Sequence, residues 1–453
     1  MSSVPSLGGG RGRAGSVGYP PPVAEKAKIG WRDLADGRVA LMLVLAYSTG
    51  LPYLLVFSTL SVWLREAGVA LTTIGLFSWL ALAYSLKFIW APVIDGIDVP
   101  VLAKLLGRRR AWLVVCQAVI AAGLIGMGLS GPTPNLIPLA CFTFLVAFGS
   151  ATQDVATDGW RIDAAPLEKQ GVMAAAYQLG YRLALLCAGA GALYIAEFVG
   201  WRAAYFAMAG LLVVGFVATL LSPIVDREPQ GGRPPRFDFV QGIKAPLVDL
   251  YRRSGPLFIP ILVFVSLYRL PDFVSGVMAY PMYVDLGFAK TDIANVSKIY
   301  GVWVGIAGAF VGGYAVSKAG LRTTLLIGGI VGAASNLMLA WLFLEGARIE
   351  ALVLTISVDN FSAGFAGVAL VTYMSGLTGA GFAATQYALL SSLYALPGKF
   401  VGGASGFIVT WYGYPTFFVL TAAVGIPVVA MCLWVTRGDP PAATSQGRGT
   451  TSP

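Results

Sequence analysis

Apolar runs of about twenty residues alternate with short polar breaks from residue 39 to residue 436. Twenty residues is the length a helix needs to cross the hydrocarbon core of a bilayer. The breaks predict twelve membrane spans, at 39–63, 72–95, 111–130, 136–157, 170–196, 201–222, 256–284, 291–317, 322–344, 350–375, 379–408 and 413–436. The longest break, 223–255, holds Arg227, Arg233, Arg236, Lys244, Arg252 and Arg253 and divides six spans from six. The expected organisation is a tail at 1–30, an N-terminal six-helix bundle at 31–222, a linker at 223–255, a C-terminal six-helix bundle at 256–436 and a second tail at 437–453. Both tails are Gly-, Pro-, Ser- and Arg-bearing with little apolar content, which predicts disorder. The first apolar run is too long for a signal peptide, so none is expected.

Polar residues inside the apolar runs interrupt this pattern. Eight ionisable residues fall within spans, away from the terminal two positions at either end: Lys87, Asp154, Arg182, Arg269, Asp272, Lys298, Asp359 and Lys399. At roughly 3 kcal/mol each, leaving them all in lipid would cost on the order of 20 kcal/mol. That exceeds a typical domain's net stability of about 5–15 kcal/mol. Most of them must therefore face one another or an aqueous cavity. The densest stretch is Phe144–Arg182, where one helix carries Gln153 and Asp154 and the next carries Gln178, Tyr181 and Arg182.

Composition agrees with membrane residence: 57% of residues are hydrophobic and 12% charged, against about 25% charged in soluble domains. The net charge of +9 follows a positive-inside distribution better than nucleic-acid binding. Twenty-two Lys and Arg lie in the tails and alternate loops of one side, and four (Arg65, Arg202, Lys290, Arg348) in the opposite loops. This asymmetry places both termini in the cytoplasm. The chain has no His, which removes the usual metal ligand and the usual physiological-pH switch. Cys116, Cys141, Cys187 and Cys432 sit in apolar runs without metal or redox spacing and read as packing residues. No nucleophile stands beside a base and GGGRGR lacks the rest of a P-loop, so neither an enzyme nor nucleotide binding is expected.

The two halves echo one another. Ala91-Pro92-Val93-Ile94-Asp95 ends the second span and Gly107-Arg108-Arg109-Arg110 opens the third; Gly313 to Lys318 ends the eighth and Gly320-Leu321-Arg322 opens the ninth. A repeat at the same place in each half marks a duplicated transporter fold. Both segments resemble the loop signature of the major facilitator superfamily, with residues 96–106 interrupting the first copy and Ser317 replacing its Asp in the second. Further stretches resemble the AmpG-type muropeptide permeases: Tyr84 to Pro92, Gly107 to Trp112, Ser150 to Asp154, Gly180-Tyr181-Arg182, Tyr268 to Asp272 and Ala384 to Ser391. Some members of that family carry two extra spans, for which this chain has no length.

The resemblance implies an all-α major facilitator fold of two pseudo-symmetric bundles that imports anhydro-muropeptides across a bacterial inner membrane. A proton gradient, rather than a cofactor or metal, would supply the energy, and a monomer in the bilayer is expected. Without histidine, proton coupling needs a carboxylate whose affinity for a proton changes with its surroundings. Asp154, beside Lys87 or Arg182, is the first candidate and Asp272, one turn after Arg269, its counterpart. Cations outnumber acids in the interior, which suits an anionic solute. Lys87, Gln153, Gln178, Tyr181, Arg182, Arg269, Lys298, Asp359, Asn360 and Gln386 are the candidate substrate contacts. Tyr47, Tyr53, Trp79, Trp303 and Tyr387 are further candidates for sugar faces, and snorkelling is as good an account of Lys399. Asp158, Arg161 and Asp163 are expected to gate the cytoplasmic rim by pairing with Arg108, Arg109 and Arg110. Asp95 is expected to be relieved by the start of the eleventh span at 379–381. The rival readings are a transporter of another organic anion, such as an acyl-CoA or siderophore, and a non-transporting membrane receptor.

Overall fold

The computed structural model describes residues 36–165, 169–225, 239–378 and 383–436. The expected tails, Arg227, Arg233 and Arg236 of the linker, and the 379–381 turn lie outside the described residues, as does the side chain of Asp95. Ten helices among the described residues are long and apolar enough to cross a membrane. The two remaining expected spans are a broken series of helical turns from Leu71 to Gly96 and the helix Ala383–Gly402, which continues after a break at Gly403. The linker is not bare: it carries an amphipathic helix, Phe239–Ser254.

Duplication is visible in the backbone. Gly107 and Gly320, which precede the third and ninth spans, have φ/ψ of 79°/161° and 82°/159°. Gly200 and Gly413, which precede the sixth and twelfth, have 108°/163° and 79°/166°. L-residues with a Cβ rarely adopt positive φ, so glycine marks the same turn in each half. The break at Gly413 divides one continuous helical run, Ser405–Val435, into the end of the eleventh span and the whole of the twelfth.

Small residues let the spans approach closely. A Cβ on Gly308 would lie 2.2 Å from the Phe361 carbonyl oxygen, and one on Gly364 would lie 2.1 Å from that of Gly305. The eighth and tenth spans therefore touch backbone to backbone, as lipid-embedded helices do where no hydrophobic drive joins them.

Three spans lose α-helical regularity at one level of the bundle. The first breaks at Val56–Phe57, after Pro52. The fifth widens to a π-helix at Cys187–Gly191 and the eighth at Ile293–Tyr300. Freed carbonyls are re-satisfied: the Tyr205 hydroxyl donates to Leu55 (2.8 Å) and the Thr59 hydroxyl to Ala188 (2.9 Å). Such departures at membrane depth are tolerated where they border protein or a cavity. The seventh span bends at Arg269, whose φ/ψ of −105°/9° interrupts the helix just before Pro271, as that proline predicts.

The two bundles meet at one end and part at the other. Around Arg65, Asp285 and Lys290 a single cluster of buried apolar side chains runs through both halves, joining Leu51, Leu60 and Leu64 to Met278, Met282 and Ile293. At the opposite, basic end the buried side chains form two separate clusters, one per half. We refer to the first as the closed end.

Candidate functional site

Among the described residues, one cavity lies between the bundles and a second is walled by the C-terminal bundle together with Arg182. The smaller, about 230 Å³, is bounded by Tyr53, Phe57 and Ser58 of the first span, Asp272 and Tyr280 of the seventh, Lys298 of the eighth and Lys399 of the eleventh. The larger, about 830 Å³, is lined by Arg182 of the fifth span, Arg269 of the seventh, Gly301 and Gly305 of the eighth, and Asn360 of the tenth. The second volume falls within the range of small-molecule sites.

The interior charges are distributed unevenly. Lys87 Nζ lies 2.9 Å from Asp154 Oδ2, a pair bridging the second and fourth spans. The other oxygen, Asp154 Oδ1, is buried without a hydrogen-bond partner among the described residues. Arg269 pairs with Asp272 one turn on and also donates from Nη1 to the Ala363 carbonyl (3.0 Å). Gly367 makes that reach possible, since a Cβ there would lie 3.1 Å from Nη1. Asp359 accepts a long bond from the Ser335 hydroxyl (3.4 Å). Lys298 is buried, donates to Ser58 Oγ (2.6 Å) and lies 3.8 Å from the centre of the Tyr280 ring. Lys399 lies 5.7 Å and 5.8 Å from the ring centres of Phe57 and Tyr84.

Several expected substrate contacts are employed elsewhere. Gln153 is fully buried against the first span, donating to Ser48 (3.1 Å) and Thr49 (3.3 Å), so it joins helices and does not reach either cavity. Gln386 is also buried, but at the basic end. It accepts from Arg253 (3.0 Å) and donates to Asp249 (2.8 Å), tying the linker helix to the eleventh span. Gln178 is exposed and lines neither cavity. Tyr181 fits over Gly50 and packs against the Tyr53 and Tyr177 rings. Asn360 donates to the Ile356 carbonyl of its own helix (3.2 Å) while bordering the larger cavity. Trp303 faces outward, 66% exposed, and lines neither of these two cavities.

At the basic end, Arg109 reaches Asp163 across the third and fourth spans (3.3 Å). Its guanidinium occupies the space that a Cβ on Gly159 would need. Arg108 meets Asp98 (2.7 Å), Arg110 donates to the Leu220 carbonyl (2.6 Å), and Arg161 lies one turn from Asp158 (3.6 Å). Each of these contacts stays within the first bundle. Asp36 caps the first span through the Arg38 backbone N–H and meets Lys169 (3.0 Å) at the start of the fifth. Those two donors hold its carboxyl below the usual carboxylate range.

Ion pairs between the bundles cluster at the closed end, where the sequence pattern did not point. Arg65 pairs with Asp285, whose other oxygen accepts from the Tyr414 hydroxyl (2.7 Å). Lys290 joins Glu66 (2.6 Å) and Glu197 (3.3 Å), and Glu66 also accepts from Trp201 Nε1 (2.6 Å). Tyr194 donates to Asn295 beside them (2.5 Å). These residues sit at span ends, where charge is ordinary. The available signal was that Arg65 and Lys290 are two of only four basic residues on that side.

Two six-helix bundles around largely apolar cavities that carry cations define a secondary transporter of the rocking-bundle kind. Over residues 42–400 the sequence matches the Major Facilitator Superfamily. It is 33% identical over 406 residues to the putative transporter AmpG 4 of Rickettsia felis, covering 89% of this chain and 97% of that one. It is 34% identical over 404 residues to the anhydromuropeptide permease of Escherichia coli K12, covering 89% of this chain and 80% of that one. A bacterial homologue of the human lysosomal transporter Spinster, solved inward-facing and unoccupied, superposes with a TM-score of 0.67 at 15% identity, over 88% of this chain and 97% of that one. The chain belongs to the major facilitator superfamily and, within it, to the AmpG-type permeases.

Proposed function

We propose that this transporter imports anhydro-muropeptides across the bacterial inner membrane, from periplasm to cytoplasm, in symport with protons and as a monomer. Both termini and the linker helix face the cytoplasm, and the closed end faces the periplasm. The similarity to the Escherichia coli permease, over most of both chains, carries the choice of cargo. Two arginines on the larger cavity support it, because Arg182 and Arg269 are suited to grip carboxylates of a glycopeptide. Of the interior acids, Asp154 is assigned to proton coupling because one of its oxygens has no partner and the other holds Lys87. Protonation would release that lysine. Asp272, paired with Arg269, is assigned the corresponding part in the second half.

Uptake of labelled anhydro-muropeptide into proteoliposomes, with and without an imposed proton gradient, tests the reading. Saturable uptake enhanced by inside-alkaline pH is expected. Uptake of a different organic anion with no glycopeptide uptake would replace the cargo, and absence of any uptake would favour a receptor.

A further inference from the structure

Lys298 and Lys399 differ from Lys87 and Arg269, and share with Arg182 the lack of an ion pair among the described residues. Lys87 has Asp154 and Arg269 has Asp272, but neither Lys298 nor Lys399 stands within ion-pair distance of a carboxylate among the described residues. Both border the smaller cavity, and they approach it from opposite sides of the same break in the first span. Lys298 rests on Ser58, and Lys399 sits over Phe57. Lys298 is only 6% exposed, and a buried ammonium is costly unless it meets a compensating charge. Its present neighbours, one hydroxyl and the Tyr280 ring face, engage at most two of its three donors. The π-helical segment carrying Lys298 packs on the one containing Gly189, where a Cβ would fall 3.1 Å from Lys298 Cδ. Local helix geometry is thus departed from on both sides of this lysine, a feature that recurs at functional sites.

We propose that the smaller cavity is a carboxylate site in which Lys298 and Lys399 together clasp one carboxylate of the cargo. Resting on the cargo reading above, this assigns the peptide end, rather than the sugars, to the closed end of the transporter. A volume of 230 Å³ holds roughly seven or eight waters. That admits a terminal amino-acid unit. Phe57, Tyr84 and Tyr280 flank the ammonium groups and strengthen their field by excluding water. Asp272 borders the same cavity but is committed to Arg269, so the space retains a net positive charge for an anion to neutralise.

The test uses the full chain in nanodiscs, with N-acetyl-dialanine and its C-terminal amide as probes and calorimetric titration as readout. The acid is expected to bind roughly 10- to 100-fold more tightly than the amide, the range for a hydrogen bond between charged groups. Lys298→Met and Lys399→Met should each reduce that preference to a few-fold, while Lys399→Arg, which keeps the charge, retains most of it. Gly189→Ala crowds Lys298 without removing charge and should lower acid affinity while leaving the amide unchanged. Equal binding of acid and amide by the unmodified protein would overturn the site, as would an unaltered preference in well-folded methionine variants. Labelled glycopeptide uptake separates the two readings. Acid-selective binding without glycopeptide uptake keeps the site and discards the cargo; glycopeptide uptake with unaltered selectivity in the variants does the reverse.

Discussion

Asp154 carries two demands that pull against each other. Its Oδ2 holds the Lys87 ammonium, and its Oδ1 has no donor, so the carboxylate is half-satisfied in a buried site. Asp154→Asn keeps the shape and one acceptor but fixes the group neutral. The expected outcome is loss of gradient-driven accumulation with folding intact, read as equal uptake with and without a proton gradient by a protein that still elutes as one species. Arg182, exposed toward the larger cavity beside Arg269, should matter through charge. Arg182→Ala should weaken acidic cargo by roughly tenfold and an amidated analogue little, consistent with the loss of one charge-assisted pair. Equal losses for the two ligands would place Arg182 among residues that only shape the wall. That Asp154 would meet a cation could be read from the sequence, because it sits in an apolar run where an unpaired charge is expensive, but the choice of Lys87 over Arg182 could not. The occupations of Gln153 and Gln386 could not, since a buried amide is equally useful to a ligand or a neighbouring helix, and only packing decides.

Among the elements, spans were legible wherever twenty apolar residues ran unbroken. The second and eleventh are the instructive exceptions: between Leu71 and Gly96 the backbone passes through several short turns, because Ser, Gly and Pro interrupt a stretch that hydropathy alone treats as one helix. The linker helix at Phe239–Ser254 lay hidden for the opposite reason, its charges giving the segment the look of a loop. The contact between the eighth and tenth spans makes a sharp prediction. Gly308→Val pushes side-chain atoms into the Phe361 carbonyl and should cost about 1–3 kcal/mol, as overpacking does, seen as a lower thermal midpoint; an unchanged midpoint would mean the helices can separate freely. At the start of the first span, removing the cap with Asp36→Ala should cost about 1 kcal/mol. Because the folded-state carboxyl titrates below its ordinary value of 3.8, the cap's contribution is complete above that pH and disappears as pH falls through the lowered value. The variant should therefore match the parent in strong acid and fall behind it near neutrality.

For the whole molecule, the twofold repeat could be anticipated from two loop segments and is repeated in the backbone angles at Gly107 and Gly320. Which end is shut could not be anticipated. Arg65 and Asp285 are 220 positions apart, and no local pattern joins them. If the bundles must part at that end for cargo to enter, then Arg65→Cys with Asp285→Cys, bridged by a short bis-methanethiosulfonate reagent, should abolish uptake, and reduction should restore it. Continued uptake by the cross-linked protein would remove opening at this end from the transport cycle.

The latch around Lys290 and Arg65 is made of partly exposed charges, with Glu66 at 42% and Glu197 at 32%. Dissolved ions weaken such attractions over distances of about 8–10 Å at physiological strength. In the proposed orientation this latch meets the periplasm, whose salinity follows the surrounding medium. A cell moved from dilute to salty water would thus loosen the outer door of this carrier without any change in its cargo, its gradient or its genes.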